Sequence, residues 1–111
     1  EIVKESQKAG LKAVRPQKTC ASVDDACRKI ITEHSYGPHF IHSTGHGIGL
    51  DVHENPNISG KSKEKLKKDM AITVEPGIYI PKKFGVRIED SLIVKDRAAV
   101  MHKFTKDLIV I

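Results

Sequence analysis

The chain has no tryptophan, two cysteines and only 5% aromatic residues. Cys20 and Cys27 form no CxxC pair, which excludes a cysteine-based metal site. On one helix they would stand about 10.5 Å apart in rise, too far to bridge, so they read as reduced structural thiols. No apolar run reaches the length of a membrane span, and nothing resembles a basic-then-apolar leader. No membrane partner is predicted, and a cytoplasmic setting is expected. The net charge of +5 comes largely from Lys61, Lys63, Lys65, Lys67 and Lys68. A nucleic-acid surface would interleave such a run with aromatics; this one contains none, and it reads as a solvated connector. What remains is ordinary: 39% apolar and 30% charged residues in 111 positions, enough for one domain with one core.

The apolar spacing of residues 2–14 predicts an amphipathic helix stopped by Pro16. A second helix is predicted from an N-cap at Ser22, with Asp24 and Asp25 in its first turn, to about Ser35, before Gly37-Pro38. Beyond Pro38 the texture turns to β, with runs at 39–43, 50–53, 71–80, 85–95 and 107–111 separated by Gly, Pro and Asn. Two helices followed by an antiparallel meander predict an α+β domain. Period-two alternation puts Arg87, Glu89 and Ser91 on one strand face and Asp90 on the other. Glu75 interrupts an apolar run and precedes Pro76-Gly77, a pair suited to a type II turn.

The segment from His42 to His53 packs in His42, His46, His53, Gly45, Gly47 and Gly49. A phosphate loop would have to open a helix, whereas Leu50-Asp51-Val52-His53 is strand-like, so that reading is rejected. A histidine followed by two strand carboxylates, Glu75 and Glu89, is what a hard or borderline divalent ion requires. His34, His39 and His102 read as structural or exposed. A zinc site built from His42, His46 and His53 is disfavoured by the two carboxylates and the lack of cysteine ligands.

Three ordered segments carry a resemblance: His42-Ser43-Thr44-Gly45-His46-Gly47-Ile48-Gly49-Leu50-Asp51-Val52-His53-Glu54, then Val74-Glu75-Pro76-Gly77-Ile78-Tyr79, then Val86-Arg87-Ile88-Glu89-Asp90. Together they closely resemble the proline-specific metallopeptidases, aminopeptidase P and prolidase, which share the pita-bread fold. The resemblance implies hydrolysis of peptide bonds preceding proline at two divalent ions (Mn, Co, Zn or Fe). It implies His46, Glu75 and Glu89 as metal ligands, with Glu89 bridging. It implies His53 and Glu75 as catalytic residues, and His42, His53 and Arg87 as substrate-binding ones.

The family's centre also takes two aspartates from upstream strands, and the only aspartates before His42 are Asp24 and Asp25. Residues 1–111 are therefore expected to be the C-terminal part of a catalytic domain, half of a pita-bread fold. They would supply three of five protein ligands and be inactive alone. An Xaa-Pro peptide and the N-terminal half of the same enzyme are the partners implied, and the exposed apolar face predicts a homo-oligomer. The alternative, a non-catalytic pita-bread module that binds peptides or proteins, has no need of all three ligands. A last departure from the family pattern is Asp69, where a glycine is usual. Aspartate tolerates left-handed backbone, so the turn is expected to survive.

Overall fold

The computed structural model describes residues 1–111, and its helices cover one face of an antiparallel sheet. Helices α1 (Ile2–Ala13) and α2 (Cys20–Glu33) precede strands β1 (Gly45–Gly47), β2 (Glu54–Ile58), β3 (Ala71–Val74), β4 (Gly77–Ile80), β5 (Phe84–Arg87), β6 (Asp90–Val94) and β7 (Ala98–Val100). The sheet order is β2-β1-β3-β6-β7, every pair antiparallel, while β4 and β5 form a separate hairpin. The predicted α+β layering of two helices on an antiparallel sheet is present. No helix is long and apolar enough to cross a membrane.

Helix α1 stops where expected, because Val14 turns extended ahead of Arg15-Pro16. Helix α2 starts three residues earlier than predicted. Thr19, not Ser22, is the N-cap, and its hydroxyl accepts from the Ser22 amide at 3.2 Å. Asp24 consequently lies beyond the first turn and is buried. The C-terminus closes with Ser35 at φ 67°; the Ser35 amide donates to Thr32 and the Tyr36 amide to Ile31, which satisfies two orphan carbonyls.

Several predicted strands are corrected. Residues 39–43 hold the end of a 3-10 turn and irregular chain, and 50–53 form a bend, so the paired strands are β1 and β2. The run 71–80 breaks at Glu75-Pro76, and 85–95 breaks at Ile88-Glu89. The carboxylates thus sit at strand ends, where the chain leaves one sheet for another. Pro76-Gly77 makes no type II turn, since no glycine has positive φ; the chain enters β4 directly. Residues 107–111 are unpaired, and β7 takes the edge instead. Asp69 does adopt the left-handed conformation, at φ 73°.

Inside, Val3, Val14, Val23 and Ile31 of the helical layer meet Ile58, Ile72, Val74, Leu92 and Val94 of the sheet. Gly10 lets α1 cross closely, since a Cβ there would lie 2.4 Å from Cys27 Sγ. Cys20 and Cys27 are both free and fully buried on α2. Desolvation pushes both thiols up, Cys27 to about 12. Neither is expected to react with an alkylating reagent at neutral pH until the chain unfolds, which mass spectrometry with and without denaturant would read.

Asp90 faces the core, opposite Glu89, and is wholly buried. It accepts from Gln7 on α1, and its other oxygen stands 2.9 Å from Lys106 Nζ and 3.0 Å from His102 Nε2. This carboxylate ties the C-terminal tail to the sheet, with Lys4 and Asp107 paired alongside. Asp90→Asn should cost about 2 kcal/mol and speed tryptic cleavage at Lys103 or Lys106, an effect visible by timed proteolysis. Between β2 and β3 the lysine run is exposed, pinned by buried Leu66, whose amide donates to the Lys18 carbonyl.

Candidate active site

The cleft opens on the face of the sheet away from the helices. Period two places Thr73 and Glu75 on that face of β3, while Ile72 and Val74 point into the core. His46 comes from the adjacent β1. Its amide donates to Thr73 Oγ1 at 3.1 Å, and that hydroxyl donates to Glu75 Oε1 at 2.8 Å. Threonine 73 therefore links the two predicted ligands, and the Glu75 amide is held by the Thr44 carbonyl at 2.7 Å.

His46 Nδ1 donates to the Gly47 carbonyl at 2.8 Å, which leaves Nε2 facing Glu75 Oε1 at 3.0 Å. A ring nitrogen lone pair beside a carboxylate oxygen is repulsive unless a proton or a cation lies between them. Two donors about 2.1 Å from one ion at a right angle stand about 3 Å apart. The spacing suits either a shared proton or two ligands on one divalent ion. The third predicted ligand stands further off. Glu89 is exposed and meets the others through Arg87, whose Nε is 3.8 Å from Glu75 Oε2 and 3.7 Å from Glu89 Oε2. No three His, Cys, Asp or Glu side chains converge closely enough to hold an ion by themselves.

Around this pair lies a cleft of about 900 Å³ lined by eleven residues, none hydrophobic, among them His42, His46, His53, Glu75 and Arg87. Glu89 lines a smaller neighbouring cavity with Arg87 and His102. His53 is exposed and packs edge-to-face on His46, with ring centroids 4.7 Å apart. His42 Nδ1 donates to the Ser43 carbonyl at 2.8 Å, so Nε2 accepts the Tyr79 hydroxyl proton at 2.8 Å. Arg87 is held above the ordinary guanidinium value, first by a hydrogen bond to Tyr79 and then by Glu75 and Glu89.

Thr73 and Tyr79 are contributors that the sequence reading passed over. Thr73 was discoverable, because it lies two residues before Glu75 on the same strand face. Tyr79 lies five residues past Val74 in the segment Val74-Glu75-Pro76-Gly77-Ile78-Tyr79, but its reach to His42 depends on how the hairpin folds back.

The Xaa-Pro dipeptidase of Pyrococcus furiosus is 50% identical over 99 residues, covering 89% of this chain and 28% of that protein. A putative Xaa-Pro aminopeptidase of Mycoplasma pneumoniae is 49% identical over 98 residues, covering 88% of this chain and 28% of that protein. The structure of an Xaa-Pro dipeptidase from Bacillus anthracis superposes with a TM-score of 0.96 at 47% identity, over 99% of this chain and 31% of that one. The architecture is thus part of the pita-bread fold expected from the motifs, and the chain spans under a third of the length of these relatives. Residues 1–96 match metallopeptidase family M24, to which the chain belongs.

Proposed function

We propose that this chain is the part of an Xaa-Pro peptidase that supplies His46, Glu75 and Glu89 to a site for two divalent ions. The observation that carries the reading is the opposition of His46 Nε2 and Glu75 Oε1 across 3.0 Å, a contact that a proton or a cation must bridge. When bound, such ions supply Lewis acidity toward the scissile carbonyl and acidify water. Glu75, with its second oxygen toward the open cleft and Arg87, takes up and returns the proton. His53 stands at the mouth, free to donate a hydrogen bond to the peptide as charge develops on its carbonyl oxygen. Arg87 and His42 line the wall where the substrate's polar end would lie. Two ligands in contact and a third across Arg87 agree with a site that needs further carboxylates from outside these residues, so the chain alone is expected to show no turnover.

A chimera tests this. The chain would replace the matching 31% of the Bacillus anthracis Xaa-Pro dipeptidase, to which its fold conforms at TM-score 0.96. Metal-dependent cleavage of an Xaa-Pro dipeptide, and not of the same dipeptide with alanine for proline, is the expected result. A folded, metal-loaded chimera that cleaves neither would overturn the reading in favour of a peptide-binding module.

A further inference from the structure

The segment Phe40–Thr44 carries His42 into the cleft, yet it belongs to no helix or strand. Its backbone groups must still be paired; the Thr44 amide donates to Ile58 at 2.9 Å and the Phe40 amide to Gly37, while the Phe40 and His42 carbonyls are taken up from α2. Arg28 Nη1 donates to the Phe40 carbonyl at 2.9 Å, and Nη2 donates to the His42 carbonyl at 3.0 Å. The same guanidinium donates to both oxygens of Asp24, one turn earlier, at 2.9 and 3.1 Å. Asp24 is buried, and its Oδ1 accepts from the Thr44 hydroxyl at 2.8 Å and the Thr44 amide at 3.2 Å. One ion pair on a helix thereby grips three alternate residues of the segment.

We propose that Arg28, locked by Asp24, is the positioning residue for His42, setting the tautomer and direction of the imidazole presented to the cleft. The inference rests on the peptidase reading only for the use made of His42; the geometry stands apart from it. The Arg28 guanidinium lies 4.0 Å from the centre of the Phe40 ring, and that ring meets His42 edge-on at 5.3 Å. Clamping the two carbonyls leaves the Ser43 carbonyl turned toward His42 Nδ1. The imidazole is then held with Nδ1 as donor and Nε2 as acceptor, wedged between Phe40 and Tyr79. Only a planar fork can meet a carboxylate and two carbonyls at once. A lysine ammonium neutralises Asp24 but lacks that reach.

Arg28→Lys therefore separates charge neutralisation from clamping. The test is long-range nitrogen–proton NMR of the histidine rings in the 111-residue chain, without metal or substrate, at a pH where the rings are neutral. The expected wild-type result is a single Nδ1–H tautomer at His42 and separately resolved Nη protons for Arg28. In Arg28→Lys, with sheet amide signals retained, the two ring nitrogens of His42 should move toward the tautomer average. Unchanged His42 nitrogens in a folded Arg28→Lys chain would overturn the proposal. Should the variant not fold, the wild type decides: averaged, freely rotating Arg28 Nη protons overturn it, and resolved ones support it. These readings do not depend on hydrolysis, so an inactive chimera would count against the peptidase reading alone.

Discussion

Glu75→Gln in the chimera is expected to lower Xaa-Pro hydrolysis by about 10³-fold or more, while the fold persists. Glu75 is asked to do two things that an amide cannot. On the proposed reading its Oε1, 3.0 Å from His46 Nε2, balances a cation, and its carboxylate moves a proton. Glutamine keeps the size and an oxygen for the Thr73 hydroxyl, but it removes the negative charge that faces Arg87 Nε at 3.8 Å. Metal content measured by mass spectrometry should fall as well, and kcat should drop far more than KM rises. Thr73→Val supplies a graded companion. It deletes the hydroxyl that accepts from the His46 amide and donates to Glu75, so a loss of about 10- to 100-fold is expected from disorienting ligands that remain in place. A Glu75→Gln chimera retaining a tenth of the parent rate would remove Glu75 from the chemistry.

The second large effect is on stability. Gly45→Ala should lower the melting temperature by about 15 °C or more, equivalent to about 3 kcal/mol in a domain of this size. A Cβ at position 45 would lie 1.9 Å from the Thr73 carbonyl oxygen and 2.7 Å from its carbon. Neither atom can withdraw, because β3 is central and Thr73 is registered against Ser91 of β6. Relief must come from separating β1 from β3, which also parts His46 from Thr73 and Glu75. Thermal unfolding followed by circular dichroism would measure it. A melting temperature within a few degrees of the parent would mean that β1 is held less firmly than its contacts indicate.

The sequence by itself determined the metallopeptidase family and much of the layering. The three motifs are short local runs, legible without the fold, whereas period-two alternation across 85–95 fails at Glu89, which lies between two strands of different sheets beside buried Asp90. Pro16 stopped α1 for a purely local steric reason. The tertiary structure decided where strands begin and end. β1 is three residues long, too short to show a period, and exists because β2 and β3 flank it. The breaks at Glu75 and Glu89 arise because the hairpin β4–β5 leaves the main sheet, a choice made by packing and invisible in a continuous apolar run. Asp24 and Arg28 look from the sequence like an ordinary charge pair one helical turn apart. Only the fold brings a chain segment without its own hydrogen-bond ladder against them, and burial then makes a surface-type pair into the support of His42.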